Sequence, residues 1–230
     1  LKNSNVSTGG TKYTTGDGMT GSCLVLTTPD AERTMNTCLS ISSNFSIKNI
    51  NLVDLKSSEY LYIEGYLVTS DVAMEAVHQS IEFSFKNDVK IALTFSDLAM
   101  VKYFKDNFKS ILNNKVDLLF CNEDEAKTFS GSDTLEDSIK YLGKLSSTLV
   151  VTLGKNGSLI YHNGEKITID PYPTKAVDTV GAGDTYAGAF LYGITNGLSL
   201  KKSGELASLL SSKVVSKIGP RLEKDDILSN

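Results

Sequence analysis

Asp178-Thr179-Val180-Gly181-Ala182-Gly183-Asp184-Thr185-Tyr186-Ala187-Gly188-Ala189-Phe190 decides how the rest of the chain is read. A β-strand is expected to end just before it and a long helix with apolar periodicity to follow. That makes it a strand-to-helix turn of an α/β protein. Gly181, Ala182 and Gly183 then stand at the helix start. The first amides of a helix lack intrahelical partners, and the helix dipole favours negative charge there. Small side chains let a phosphate approach that backbone closely. Asp184 falls in the first turn, a carboxylate beside an anion pocket, which suits transfer of a phosphoryl group to a hydroxyl. Glycines before a helix and an acid in its first turn are also ordinary capping chemistry. The second acid, Asp178, brackets the turn from its other end, and capping alone does not need it.

These residues resemble the C-terminal signature of the PfkB/ribokinase family of carbohydrate and nucleoside kinases. The resemblance implies a ribokinase-like α/β fold, a doubly wound and mostly parallel sheet with helices on both faces plus a small β lid. It implies that Asp184 is the catalytic base and that the amides of Gly181, Ala182 and Gly183 form the anion hole. It implies ATP and Mg²⁺ as cofactors, and Asp178 beside a monovalent cation such as K⁺, as in some members. The P-loop pattern, glycine and four residues before Gly-Lys-Ser/Thr, is absent, which excludes a P-loop kinase on pattern.

The 230 residues are enough for one α/β domain with a substantial core. With 40% hydrophobic and 22% charged residues, the composition is that of a soluble globular chain and argues against disorder. The net charge of -4, from 23 basic and 27 acidic residues, gives no electrostatic support to a nucleic-acid partner. A phosphate site must therefore come from local geometry. Cys23, Cys38 and Cys121 are far apart and form no CxxC pair, which argues against structural zinc. Their odd number and the lack of a secretory signal point to reduced thiols in the cytoplasm. Cys23 and Cys121 sit in apolar strand-like runs and are expected in the core. No apolar run approaches the length of a membrane span. His78 and His162 are the two histidines, and nothing in the sequence places them together.

The chain opens at Leu1 without an initiator Met, and Leu1-Lys2-Asn3-Ser4 reads as the end of a helix. Family members begin with a longer segment that carries the first core strand and most of the acceptor pocket; that N-terminal part is expected to be missing. Residues 1–40 are then part of the lid and acceptor-site region. Residues 41–230 are the C-terminal part of the kinase core with the ATP site. Gly16-Asp17-Gly18-Met19-Thr20-Gly21 spells GxGxxG, but it precedes the strand Ser22–Thr28 where a dinucleotide fingerprint must follow one. It reads as a loop leading into a sheet. Thr28 to Arg33 reads as a turn. The string from Pro29 to Thr37 resembles the bacterial adenosine-kinase-like branch, in which Arg33 points to substrate or the γ-phosphate. The same arginine also reads as a solvated turn residue.

From Tyr60 apolar strands alternate with amphipathic helices: strands at 60–65, 90–95 and 116–121, helices at 70–85 and 97–112. The helix at 97–112 places Leu98, Val101, Phe104, Phe108 and Ile111 on or near one stripe. Asn122-Glu123-Asp124-Glu125 follows a strand at its carboxyl end, where open α/β sheets place ligands. Asn122 serves as a helix cap, with acids in the first turn to suit the dipole. The Asn-x-x-Glu spacing also resembles the family's magnesium and phosphate motif, so Asn122 and Glu125 would hold Mg²⁺ through water. Glu123 and Asp124 are expected to face solvent. Residues 134–145 read as a short helix and 147–154 as a strand. Lys155-Asn156-Gly157 is a turn, and Ser158–His162 starts a hairpin across Asn163-Gly164. Thr152, Gly154 and Gly157 resemble the family's nucleotide loop. Leu206, Leu210, Val214 and Ile218 form a core stripe on a last helix, Ser199 to Ile218, which in the family borders the adenine; Ser211 and Ser212 are candidates there.

The intact protein is thus expected to be an ATP-dependent kinase that phosphorylates a primary hydroxyl of an adenosine-like nucleoside or a sugar. The alternatives are a sugar kinase such as a fructokinase or 2-keto-3-deoxygluconate kinase, and a non-catalytic nucleotide-binding fragment. Its expected partners are small molecules and neither nucleic acid nor membrane, and it is a monomer or homodimer.

Overall fold

The computed structural model describes residue 6 and residues 18–28 and 33–228. Strands β1 (Ser22–Thr27) and β2 (Arg33–Cys38) pair antiparallel as a separate two-stranded ribbon, in register from Ser22 opposite Cys38 to Thr27 opposite Arg33. This ribbon falls within the segment expected to form the small β lid. The turn between its strands, residues 29–32, lies outside the described residues. Residues 18–21 form the loop before β1, as read from sequence; Gly16 and Asp17 lie outside the described residues. Cys23, expected in the core, is exposed, because its strand belongs to the ribbon and not to the layered sheet.

The main sheet has six strands in sequence order: β3 (Tyr60–Ile63), β4 (Lys90–Thr94), β5 (Val116–Asn122), β6 (Ser146–Thr152), β7 (Ser158–His162) and β8 (Glu165–Ile169). Strands β3 to β6 are parallel, and β7 and β8 add antiparallel at one edge. The β7–β8 hairpin turns at Asn163-Gly164, both with positive φ (51° and 83°), which matches the twist of the strands it joins.

Alternate residues of the central strands feed two cores, so both faces must be covered. Ile91, Leu93, Leu119, Cys121, Leu149 and Val151 share one core with Val77, Ile81, Phe108, Phe129 and Ile139. Those five come from α2 (Asp71–Lys86), α4 (Lys105–Leu112), α5 (Glu123–Ser130) and α6 (Leu135–Leu142). Ala92, Leu118, Phe120, Val150, Ile160 and Ile169 share the second core with Tyr186, Phe190 and Ala207. These come from α7 (Ala182–Thr195) and α8 (Leu200–Val215). Side-chain caps fix the starts: Ser70 for α2, Thr134 for α6 and Ser199 for α8 each accept an amide of the first turn. The short helices α1 (Leu52–Lys56), α3 (Leu98–Tyr103) and α9 (Lys224–Leu228) complete the described α-helices.

Three sequence expectations are corrected. The single helix at 97–112 is two, α3 and α4, broken at Phe104 (φ -122°, ψ 29°). The break aims Phe108 at Phe95 and Phe129, with ring centroids 5.0 and 6.5 Å away, while Leu98 is left exposed. No strand ends at the signature: β8 stops at Ile169 and residues 170–177 are irregular. Pro171 and Pro173 in that stretch lack the amide a ladder needs. The last long helix stops at Val215 and Ile218 is exposed. The chain turns back after α8 to donate the Gly219 amide to Asp178, which leaves Ile218 outside the packed face.

Candidate active site

The carboxyl ends of β5 and β6 bring Asn122 and Thr152 into register, and Thr152 stands opposite Ser158 on β7. Asn122 caps α5 with Glu125 in a reciprocal box. Asn122 Oδ1 accepts the Glu125 amide at 2.8 Å, and Glu125 Oε2 accepts the Asn122 amide at 2.9 Å. Asn122 Nδ2 also donates to Glu125 Oε1 at 2.9 Å, and Glu125 is buried. A capping box demands the same spacing as the expected magnesium motif. Glu123, paired with Lys127 at 2.6 Å, and exposed Asp124 line a cleft of about 220 Å³ with Asn122, Thr152, Leu153 and Gly154. Among the described residues no group of three or more His, Cys, Asp or Glu could hold a bare metal ion.

The loop after β6 closes on itself: the Leu153 amide donates to Gly157 O at 2.8 Å and the Gly157 amide to Gly154 O at 3.1 Å. Thr152 and Gly154 face the cleft. Gly157 instead packs on β8; with φ +84°, a Cβ there would stand 2.1 Å from Ile169 O.

The signature turn caps α7 through Gly181, in the left-handed region at φ 79°, with Ala182, Gly183 and exposed Asp184 in the first turn. The Ala182 amide already donates to Thr179 O at 3.3 Å, so a bound phosphate would compete for it. Asp178 is buried (5% exposed) and works as a clamp. Its Oδ1 accepts the Val180 amide and its Oδ2 the Gly219 amide, each at 3.0 Å. The amides of Val177 and Asp178 both donate to Val215 O, which holds the turn against the end of α8. Ser211 Oγ donates to Ala182 O at 3.2 Å, on the signature turn, and Ser212 Oγ bonds back to Leu209 O within its own helix. The side chain of Arg33 lies outside the described residues.

Sequence reasoning missed Glu64. It leaves β3 at the same sheet edge, half-buried, and its Oε2 accepts from Ser96 Oγ at 3.2 Å. Burial, then the nearby charge of Asp184, push its carboxyl above the usual range. Burial, then Glu64 and Asp184, likewise raise Tyr62. The charge of Asp184, in the first turn of α7, thus reaches the carboxyl end of β3. The available signal was an acid closing the apolar strand at Tyr60–Ile63, where α/β sheets put ligands. A raised folded pKa leaves stability untouched below the ordinary carboxylate range and erodes it as pH rises through the folded value. Glu64→Gln removes that erosion. Its melting temperature should exceed that of the wild type more at about pH 8 than at about pH 4. An equal difference at both pH values in thermal melts would remove Glu64 from this electrostatic pairing.

The chain is 37% identical over 138 residues to a ribokinase of Lactococcus lactis, a match covering 54% of this chain and 45% of that one. Two solved structures superpose with a TM-score of 0.87 at 28% identity: an adenosine kinase from Sinorhizobium meliloti and a probable sugar kinase from Rhizobium etli CFN 42. Each superposition covers 90% of this chain and 64% of the other. The fold is therefore ribokinase-like, and the chain spans less than two thirds of the length of these relatives. The family model for pfkB family carbohydrate kinases matches residues 1–226, and with the signature turn, capping box and sheet edge in place the chain belongs to that family.

Proposed function

We propose that the chain supplies the ATP site and catalytic base of a kinase that transfers the γ-phosphoryl group of ATP to a primary hydroxyl of a nucleoside or sugar. The carrying observation is the signature turn itself: left-handed Gly181 caps α7 without a side-chain hydrogen bond and sets exposed Asp184 in the first turn. The acceptor hydroxyl oxygen bonds to the γ-phosphorus, its proton passes to the Asp184 carboxylate, and the bond to ADP breaks with its electron pair leaving on ADP. Amides of Gly181, Ala182 and Gly183 stabilise the charge on the transferring group, each worth about 3 kcal/mol in comparable sites. Glu64 orients the acceptor through a second hydroxyl. Thr152 and Gly154 take the nucleotide, with Gly157 shaping their loop, and Arg33 on the lid faces substrate. Mg²⁺, when bound, neutralises phosphate charge; Asn122 and Glu125 would hold it through water, a fit to an all-oxygen donor set. A carboxylate oxygen has two lone-pair directions, so Asp178 can share a monovalent cation such as K⁺ with the amides it accepts.

An adenosine-like nucleoside is the first acceptor to test, after the Sinorhizobium structure; a sugar is the second, after the Lactococcus relative. A coupled ADP-release assay of the intact protein against adenosine, ribose, fructose and 2-keto-3-deoxygluconate decides between them. Adenosine-dependent release is the expected result. ATP binding with no release for any acceptor would leave a nucleotide-binding module and overturn the kinase reading.

A further inference from the structure

Ser158 and Tyr186 form the one hydrogen bond described between β7 and the signature helix, and both are buried, at 0% and 4% exposure. Their hydroxyls stand 2.6 Å apart. Each residue adjoins a different half of the proposed site. Ser158 follows Gly157 at the base of the nucleotide loop and pairs across the ladder with Thr152. Tyr186 lies on α7 two residues beyond Asp184, with its ring stacked on Phe190 at 6.4 Å between centroids. Burial drives the Tyr186 phenol up to about 12, so it stays a neutral donor or acceptor across the working pH range. A buried hydroxyl deprived of its partner costs its full desolvation, whereas replacing both partners by apolar groups of similar shape can be nearly neutral.

We infer that Ser158 and Tyr186 are a matched pair of positioning residues that fix the nucleotide loop against the anion turn, so that the two ends of ATP are held in register. The inference rests on the nucleotide-site reading above and adds residues that touch neither ATP nor the acceptor. ATP would span both the loop and the turn. AMP lacks the outer phosphates and engages the loop without the turn. Disturbing the register must therefore weaken ATP more than AMP, a difference that simple loss of stability does not produce.

The test is calorimetric titration of the full chain with Mg²⁺·ATP and with AMP, at a temperature where every variant is folded by circular dichroism. Tyr186→Phe and Ser158→Ala should each weaken ATP by about five-fold or more, and AMP by less than about two-fold, because each leaves one buried hydroxyl without its partner. The double variant Ser158→Ala with Tyr186→Phe should recover ATP affinity to within about two-fold of wild type, since neighbouring substitutions acting on one contact are non-additive. Equal losses for ATP and AMP, no loss in either single variant, or additive losses in the double variant would each overturn the inference. A wild-type chain that fails to bind ATP would overturn the nucleotide-site reading, and this inference with it.

Discussion

Asp184→Asn is expected to lower turnover by roughly 10³-fold, within the range that removal of a positioned general base produces, while ATP affinity stays within about two-fold of wild type. Asparagine keeps the shape of the side chain and removes its capacity to take the hydroxyl proton. The fold has little to lose, because Asp184 is exposed and Gly181 caps α7 without a side-chain hydrogen bond. Loss of a first-turn acid from the helix dipole costs at most about 1 kcal/mol. The substitution also leaves a mark that needs no acceptor. Asp184 is the second cause, after burial, of the raised Glu64 carboxyl. Removing its charge lets Glu64 ionise at lower pH in the folded state, so stability falls less steeply as pH rises. Thermal melts across pH should show this flattening whatever the acceptor. Near-normal turnover in the coupled assay would reject Asp184 as the base, and an unchanged pH profile of stability would reject its proximity to Glu64.

The parts of the fold that follow from local rules were legible. Alternation of apolar strands with amphipathic helices located β3 to β6 and the helices α2 and α6 to within a few residues, because burial on both faces makes each parallel strand a continuous apolar run. The helices expected from about residues 70, 134 and 199 begin there, and Ser70, Thr134 and Ser199 cap them through their side chains. What was not legible depends on groups distant in sequence. Glu64 gains meaning only when β3 and α7 are brought to one edge of the sheet. The break at Phe104 answers the aromatic cluster of Phe95, Phe108 and Phe129, which no local periodicity announces. Cys23 looked like a core residue because a ribbon strand and a sheet strand share one apolar pattern. Asn122 and Glu125 are a different case: capping and ion binding ask for one spacing, so the sequence could not separate them and the structure displays the first.

The two glycines of the anion turn should fail in opposite ways. Gly181 has φ +79°, and a Cβ there would stand 2.4 Å from Pro220 O and 2.8 Å from Pro220 Cα. Those are backbone atoms, and the bond from the Gly219 amide to buried Asp178 keeps that segment from retreating. Gly181→Ala must therefore carry both left-handed strain and a clash. The expected loss is about 3 kcal/mol of stability, or on the order of 10 °C in melting temperature for a chain of this size. Turnover is lost with the turn. At Gly183 a Cβ would meet nothing within 4 Å, and the residue is already helical. Gly183→Ala should hold or gain stability, by up to about 1 kcal/mol, from the helix preference of alanine. Yet its methyl group would stand where the transferring phosphate must approach the backbone, so turnover should fall by at least about ten-fold through loss of one anion-hole donor. Measuring melting temperature and turnover on both variants separates a scaffold glycine from a substrate-facing one. Full turnover in Gly183→Ala would mean that no phosphate approaches that amide, and a wild-type melting temperature in Gly181→Ala would mean that Pro220 does not press on the turn.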